Sequence, residues 1–358
     1  MPAPRPTTPP PGRLVRLGVV LDTRNPLGRL TEIARMCDRV GIAALWVEDA
    51  PGYGDTPGHG DAPEPTPRLE AWTTLALVAP ATSRARVGAL LDAGRRPPAT
   101  LAAMVAALGA AVGDRLELCL RGAPAPAGPR QPPAAAAPPG AGGRFAAEVG
   151  TFLDALAGTS VPAGLDAGAS SLSAAVRSGP AARPTLSLEA GPEQLAWAAA
   201  VADDLLLPGR DAGGAALPVE QVLAEAAAAR RACQAAGRDP GTLGVAARLP
   251  VSIGRTTAEA HARWEAEPSF TGLGRPEEVA IFGTLERCHD RVIELAHAGV
   301  TDLRCLLPNS LDVHDVIAQV TAMTIGTVAQ LAPNAPRSPA PEPPVGWGGR
   351  PRQRARGD

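Results

Sequence analysis

The chain has 358 residues, of which 45% are hydrophobic, enough apolar material for one large core or two modest ones. Its 34 basic and 36 acidic residues leave a net charge of −2, so the charge predicts neither a nucleic-acid partner nor a membrane partner. Every basic residue is an arginine. The absence of lysine excludes two kinds of site, a lysine Schiff base and a Walker-type phosphate loop.

The cysteine pattern and the N-terminus bear on the compartment. The 5 cysteines are scattered, with no C-x-x-C pair, which indicates reduced thiols rather than a disulfide framework. The N-terminal sequence MPAPRPTTPPPG is rich in proline and precedes only a short apolar run that contains Arg16, so it is a poor signal peptide. No stretch is apolar enough over a sufficient length to span a membrane. These features predict a cytoplasmic protein.

A strand, a helix and a second strand are predicted in succession near the N-terminus. Residues 15–21 and 42–47 are apolar runs typical of buried parallel strands. Between them, Asn25 can act as the N-cap, Pro26 suits the first helical position, and Gly41 suits the left-handed residue that ends a helix. Because a helix crosses over between parallel strands, the acidic residues that follow both strands emerge at the same edge.

Strands and helices continue to alternate along the chain. Six further apolar runs predict strands at residues 86–91, 115–120, 184–188, 205–207, 243–253 and 303–307. Helical spacing predicts helices at 69–79, 99–112, 144–156, 193–201, 219–236, 257–265, 284–298 and 312–323. Eight such strands predict an α/β fold, a single (β/α)8 TIM barrel. A doubly wound open sheet is the competing interpretation, but the DTRNP turn after the first strand lacks the glycines of a dinucleotide-binding turn.

The barrel is predicted to span residues 14–325, with a disordered segment at 1–13 and a disordered, basic, proline-rich tail at 326–358. A low-complexity insertion of proline, alanine and glycine, residues 123–143, follows the fourth strand. The helix at 99–112 carries no charge, which predicts that it packs on the sheet and is partly covered by a second subunit. A wholly internal position is the alternative.

Acidic residues follow four of the predicted strands, namely Asp22, Glu48, Asp49, Asp92 and Glu189. In a barrel these side chains converge on one rim, where like charges cost energy unless they are paired or used. His59 and His314 follow strands two and eight, and either could reach the rim as a proton donor. No metal site is predicted, because the Cys288–His289 pair has no second ligand pair at matching spacing.

Six segments occur in the order of the landmarks of one family: GVVLD, GIAALWVED, ATSRARVGALL, DRLEL, AARRACQAAGRDPGTLGV and FGTLERCHDRVIELAHAGVTDLRCLLP. They resemble the bacterial luciferase-like oxidoreductases, the luciferase-like monooxygenases among them, which use FMN or the deazaflavin coenzyme F420. The resemblance covers residues 14–323. It implies a βα barrel that binds the cofactor across the carboxyl ends of its strands, usually as a homodimer.

The resemblance also implies roles for particular positions. The cofactor-binding positions lie on strand three under the flavin ring, after strand four near the phosphate, and in the phosphate turn after strand five: Leu90, Leu91, Arg121, Glu189, Ala190 and Gly191. Strand three often bulges at that point in the family, sometimes with a cis peptide bond. Asp49 matches the acid that ends the family's second strand. Two positions depart from the pattern: many deazaflavin members have histidine where this chain has Ala50, and Pro192 removes one N–H from the phosphate turn.

The sequence therefore predicts a flavin- or deazaflavin-dependent oxidoreductase that passes hydride to or from a small organic substrate, with oxygen as an optional co-substrate. The predicted catalytic residues are Asp22, Asp49, Asp92 and His59. Two alternatives stay open. One is a degenerate barrel that keeps the fold without a flavin and serves as a binding or assembly protein. The other is a metal-free hydrolase or isomerase that uses the rim carboxylates.

Overall fold

The computed structural model describes residues 15–49, 68–122, 141–158, 184–210 and 216–309, with single positions at 312, 315 and 319. Its strands are β1 Arg16–Val20, β2 Ala44–Glu48, β3 Arg86–Asp92, β4 Leu116–Arg121, β5 Thr185–Glu189, β6 Asp204–Leu207, β7 Gly244–Ile253, β8 Ile281–Gly283 and β9 Asp302–Leu306. Its helices are α1 Leu27–Val40, α2 Ala71–Val78, α3 Pro98–Val112, α4 Ala141–Gly158, α5 Leu195–Val201, α6 Val219–Ala235, α7 Thr257–Glu265, α8 Pro276–Val279 and α9 Leu285–Ala298.

Eight strands close a parallel barrel. Strands β1 to β7 pair in chain order, β7 pairs with β9, and β9 pairs with β1, so the sheet has no free edge within this ring. The predicted TIM barrel is confirmed and the open doubly wound sheet is excluded. All eight predicted strands are present, with their ends displaced by at most two residues. The additional strand β8 lies outside the ring, where it extends the sheet from the end of β7.

Several helix starts differ from the sequence prediction, as α1, α4 and α5 illustrate. Asn25 is not the N-cap of α1: the cap position is Pro26, and the Asn25 amide instead donates to Asn309 Oδ1 at 2.8 Å. Helix α4 begins at Ala141, inside the predicted insertion, because packing of its apolar face extends the helix into the alanine and glycine run. Helix α5 begins only at Leu195, two residues later than predicted.

Several predictions fall on residues that the structure does not describe. These are the disordered ends at 1–13 and 326–358, most of the insertion at 123–143, the loop at 51–67, and all but single positions of the helix at 312–323.

The lumen of the barrel is filled around one aromatic side chain. Trp46 points inward from β2 and is buried with apolar residues of five other strands: Val20, Leu90, Cys119, Leu206 and Ala246. Gly88 on β3 leaves the space for the indole ring, since a Cβ there would lie 2.5 Å from Trp46 Cε3. The guanidinium of Arg304 stacks on the Trp46 ring, with its Cζ 3.5 Å from the ring centroid. The sequence places Trp46 on a strand but does not tell lumen from helix layer, and the structure places it in the lumen.

Arginines and carboxylates close the lumen at the end of the barrel where the strands begin. Arg16 lies 3.1 Å from Glu117 Oε1 and 2.9 Å from Asp302 Oδ2, and its distance to Asp204 Oδ2 is 4.0 Å. Arg86 also pairs with Glu117. We call Arg16, Arg86, Glu117, Asp204 and Asp302 the floor cluster. It lies at the end away from the predicted site, so its role is structural.

Helix α3 packs against α4 and buries one apolar face, including Leu101, Val105 and Leu108. Its other face is exposed and consists of small uncharged residues, among them Ala103, Ala107 and Ala110. A wholly internal position for this helix is therefore excluded within the single chain. Among the described helices, none is both long enough and apolar enough to cross a bilayer.

Candidate active site at the mouth of the barrel

The acidic residues predicted for the rim all lie at the carboxyl ends of their strands, at one end of the barrel that we call the mouth. Asp22 follows β1, Asp49 follows β2, and Asp92 and Glu189 are the last residues of β3 and β5. Four of the five rim carboxylates have an arginine partner. Each pair is described in turn, because an arginine partner decides what chemistry a carboxylate can perform.

Asp49 is buried, with 6% of its surface exposed, and it is held by Arg96. Both Asp49 carboxylate oxygens accept from Arg96: Oδ2 from Nη1 and Oδ1 from Nη2, the latter at 3.0 Å. The same guanidinium also donates to Glu70, which caps α2. The hydrogen bond to Asp49 is the main reason why the pKa of Arg96 is raised. This bidentate pair fixes the orientation of the Asp49 carboxylate.

Asp92 and Arg121 form the second pair and connect three strand ends. Arg121 Nε donates to Asp92 Oδ1, and Nη2 donates to the backbone carbonyl of Asp49. Arg95 Nε lies 2.8 Å from the other oxygen of Asp92. Arg121 therefore bridges β4 to β3 and β2, on the side of its strand that faces away from β5.

Asp22 and Glu48 form the remaining pairs. Asp22 accepts from Arg24 and from Asn309 Nδ2, the latter at 2.5 Å; burial raises its pKa, but these hydrogen bonds outweigh burial and leave the pKa below its ordinary value. Glu48 accepts from Arg248 Nη1 at 2.7 Å, a contact that crosses the lumen from β7 to β2. Burial raises the pKa of Glu48, but the charge and hydrogen bond of Arg248, with the charges of Arg121 and Arg304, together outweigh burial and leave the pKa lowered. Neither carboxylate holds a proton near neutral pH.

Glu189 differs from the other four. No arginine pairs with it among the described residues, and its Oε2 atom is buried without a hydrogen-bond partner. The next two residues are the rest of the predicted phosphate turn. The Ala190 amide donates to the Leu206 carbonyl at 3.3 Å, and the Gly191 carbonyl accepts from the Gln194 amide at 3.0 Å. The turn is thus held by backbone hydrogen bonds of its own.

Leu90 and Leu91 face opposite sides of β3. Leu90 belongs to the lumen cluster, whereas Leu91 is part of the core between barrel and helices. Strand β3 keeps regular pairing with β4 from Val87 to Asp92, and the described residues contain no cis peptide bond. The irregularity that the resemblance implies at this point is absent from the described strand. Only Leu90 can therefore line a site at the mouth from inside the lumen.

Two predicted proton donors, His59 and His314, lie outside the described residues. Cys288 and His289 lie on α9, on the outer layer. Within the part of the chain that the structure describes, no group of three or more potential metal ligands comes together.

The described residues can be tested for their fit to a flavin-type cofactor, which needs an apolar surface for its ring and donors for its phosphate. The lumen side chains below the mouth form an apolar layer: Val20, Leu90 and Leu206 are buried in it, and Leu306 is partly exposed. The predicted phosphate donors are partly in use, because two of the five N–H groups of Arg121 donate to Asp92 and the Asp49 carbonyl, and the Ala190 amide bonds to a strand. The described residues thus offer an apolar layer below a ring and, at Arg121, N–H groups for a phosphate. A phosphate on Arg121 would share the guanidinium with Asp92.

Sequence reasoning located the rim acids but missed the residues that pair with them: Arg24, Arg95, Arg96, Arg248 and Asn309. Two of these arginines, Arg24 and Arg95, follow their acidic partner by two and three residues along the chain, and this local spacing is a usable signal. Arg96 follows Asp92 as closely but pairs with Asp49. Arg248 lies 200 residues from Glu48 in sequence. Its only signal is a charge inside an apolar strand, which suggests a buried partner without naming it.

Solved structures of several oxidoreductases have the same fold as this chain. The coenzyme F420-dependent tetrahydromethanopterin reductase of Methanopyrus kandleri is 18% identical, with a TM-score of 0.63, over 87% of this chain and 99% of that one. An F420-dependent secondary alcohol dehydrogenase is 16% identical, with a TM-score of 0.64, over 88% and 99%. A long-chain alkane monooxygenase is 14% identical, with a TM-score of 0.57, over 87% and 91%. At these identities the similarity shows the fold alone.

The sequence itself decides the family. A comparison with curated proteins gives no match. Residues 13–276, well over half of the chain, match the family described as luciferase-like monooxygenase. The chain therefore belongs to the luciferase-like monooxygenase family.

Proposed function

We propose that the protein is a flavin- or deazaflavin-dependent oxidoreductase, with FMN or coenzyme F420 as its cofactor and a small organic molecule as its substrate. The observation that carries the proposal is the mouth itself, where the apolar layer of the lumen meets the charged ends of β1 to β5. Family membership and the F420- and flavin-dependent neighbours support the class of reaction. The bound cofactor would supply the hydride chemistry, and the protein would supply binding and orientation.

Within this proposal, Asp22, Asp49 and Asp92 line the reaction space, and an arginine partner orients each of them. His59 remains the proposed proton donor. Leu90 keeps its proposed place on the cofactor strand, whereas Leu91 faces the helices and does not. Glu189, Ala190 and Gly191 keep their proposed place in the turn. Oxygen is an optional co-substrate.

Arg121 is the proposed phosphate ligand, and its pairing with Asp92 gives a direct test. FMN and riboflavin share a ring and differ by the phosphate, so their affinities separate ring binding from phosphate binding. We expect Arg121→Met to weaken FMN binding by about tenfold or more, the loss of one charge-assisted interaction, and to leave riboflavin unchanged. Asp92→Asn should tighten FMN binding, because it frees Arg121. Flavin fluorescence measures both affinities, and Arg255→Met, at a residue 93% exposed, is the control.

Equal effects of Arg121→Met on FMN and riboflavin would contradict the phosphate role of Arg121 and leave the ring site standing. Titration with coenzyme F420 decides between the two cofactors. If neither flavin nor coenzyme F420 binds, the oxidoreductase proposal fails. The second candidate function then takes its place, a binding or assembly protein on a degenerate barrel. The observation that favours it is the ion pairing of four rim carboxylates within the protein itself.

We also propose that the protein is a homodimer through α3, whose exposed face is uncharged and made of small residues. A second copy is the simplest partner for such a face, since two helices with small residues approach closely. We expect the wild type to elute as a dimer in size-exclusion chromatography with light scattering, and Ala107→Arg to elute as a monomer. Ala235→Arg, on the exposed side of α6, is the matched control. A monomeric wild type would rule the dimer out.

A cytoplasmic location is proposed on the cysteines. All of the cysteines, Cys37, Cys119, Cys233, Cys288 and Cys305, are free and buried, and burial raises the pKa of each thiol. Free, unreactive thiols are typical of proteins that work in a reducing compartment.

A further inference from the structure

Strand β5 presents three polar side chains to the lumen, one above another. Thr185, Ser187 and Glu189 alternate with leucines that face the helices, so they lie on one face of the strand. Successive members of such a row are about 6.6 Å apart along the strand. The row runs from the floor of the barrel to its mouth.

The first two members of the row each accept a hydrogen bond from an arginine. Arg86 Nη2 donates to Thr185 Oγ1 at 2.8 Å, and Arg304 Nη2 donates to Ser187 Oγ at 3.0 Å. Arg304 reaches Ser187 across the lumen from β9, and Ser187 is fully buried. Two successive positions of β5 therefore receive a guanidinium N–H inside the barrel.

The third position receives none from the described residues. Glu189 Oε2 is buried without a hydrogen-bond partner. Arg121, whose Cα is paired with that of Glu189 in the sheet, turns its guanidinium to Asp92 and the Asp49 carbonyl instead. On the other side, the residue in register is Leu206, which has no donor to offer. A buried carboxylate oxygen without a hydrogen-bond donor carries an uncompensated desolvation free energy. A ligand that donates a hydrogen bond to this oxygen would compensate it.

We propose that Glu189 is the substrate-facing acceptor at the mouth, and that the substrate presents an ammonium or another N–H donor to it. The donor takes the position that a guanidinium takes at Thr185 and Ser187. The lumen layer below Glu189 is apolar, with Leu206 in register with Glu189 and buried, so a small amine with a short apolar body has the matching chemistry. This subsite rests on the proposed function in one respect, namely that substrates bind at the mouth.

The inference changes the role that the resemblance implies for Glu189. Beside a cofactor phosphate, a carboxylate without a cation would repel the ligand. Facing a cationic substrate, the same carboxylate attracts it. The two roles predict opposite responses when the charge of Glu189 is removed, so one variant separates them.

The test uses the full chain and two probes of similar shape and opposite charge, n-butylammonium and n-butyrate, followed by titration calorimetry. We expect saturable binding of n-butylammonium to the wild type and none of n-butyrate. Glu189→Gln should weaken n-butylammonium binding at least about tenfold, the value of one charge-assisted hydrogen bond. Glu193→Gln, at an exposed residue four positions further on, should change nothing. An unchanged n-butylammonium affinity in Glu189→Gln, or preference for n-butyrate, overturns the proposal.

Two further readouts keep the result unambiguous. The melting temperature of Glu189→Gln should equal or exceed that of the wild type, because no protein contact is lost; a clear decrease would mean that the carboxylate has a structural partner and would overturn the proposal. FMN affinity should stay unchanged in Glu189→Gln. A tightening of FMN would place Glu189 beside the phosphate and refute the amine subsite. Absence of flavin binding alongside intact n-butylammonium binding would remove only the proposed cofactor.

Discussion

Replacing Gly88 with alanine should lower the free energy of unfolding by about 2–3 kcal/mol, the cost of overpacking a filled core. A Cβ at this position would lie 2.5 Å from two ring atoms of Trp46. The ring has little room to retreat, because the Arg304 guanidinium stacks on it at 3.5 Å and Gly18 already approaches its other edge. Arg304 in turn is held by its hydrogen bond to Ser187. The strain cannot be relieved by one side chain alone.

Urea unfolding followed by circular dichroism measures the effect. Gly150→Ala is the matched control, since Gly150 lies in α4 with no atom within 4 Å of the added methyl group. Removing a helical glycine should stabilise the protein slightly. A second variant, Gly88→Ala with Trp46→Phe, should recover part of the loss, because the smaller ring vacates the space. A Gly88→Ala protein as stable as the wild type would show that Trp46 is free to move.

The sequence predicts the barrel well because each strand is a short apolar run and each is followed by a polar residue. Such runs are buried on both faces, and their order along the chain leaves only one closed arrangement of parallel strands. The same property conceals which face of a strand looks into the lumen. The positions of Trp46 and Gly88 depend on barrel closure and tilt, which no local pattern encodes.

The sequence predicts which acidic residues lie at the mouth but not which residues pair with them. The ends of the strands locate Asp49, Asp92 and Glu189 on one rim, because all parallel strands end at the same side. Their partners are set by three-dimensional proximity: Arg121 could reach the turn after β5 or the end of β3, and only the structure shows that it pairs with Asp92. The unmatched state of Glu189 follows from that choice. It is therefore a property that the sequence alone could not reveal.

Strand β8 was missed because it has only three residues, Ile281–Gly283. A run this short gives no period-2 signal, and it pairs with the end of β7 rather than joining the ring. Its Phe282 packs into a separate small cluster with Trp264 and Phe270. The aromatic residues between 264 and 282 were the available clue.

Replacing Arg16 with methionine should have the other large effect, a loss of about 3 kcal/mol at pH 8, the usual cost of leaving buried charges without their partner. Arg16 is the only member of the floor cluster within 4.0 Å of three carboxylates, and these are buried, with side-chain exposures of 1% for Glu117, 15% for Asp204 and 3% for Asp302. Arg86 can still neutralise Glu117. Arg304, whose Nε lies 3.6 Å from Asp302 Oδ1, remains beside Asp302. Asp204 would lose its ion pair with Arg16.

The loss of stability in Arg16→Met should depend on pH, and the pKa of Asp204 decides whether the loss is larger at low or at high pH. Burial, together with the charges of Glu117 and Asp302, raises the pKa of Asp204 to about 6 even with Arg16 present. A carboxyl group whose pKa is higher in the folded state contributes stability at low pH, and this stability is lost as the pH rises through about 6. Removing Arg16 removes the cation that lowers this pKa, so the penalty should be small at pH 5 and large at pH 8.

Urea unfolding of the wild type and of Arg16→Met at both pH values measures this difference, with Arg255→Met, at an exposed ion pair, as the control. Adding Asp204→Asn to Arg16→Met should restore part of the stability at pH 8 and little at pH 5. The amide removes a negative charge at pH 8, whereas at pH 5 the Asp204 carboxyl is already largely protonated and carries little charge to remove. A loss of equal size at pH 5 and pH 8 would mean that Arg16 acts through packing of its side chain. The floor cluster would then stabilise the protein through side-chain packing rather than through its ion pairs.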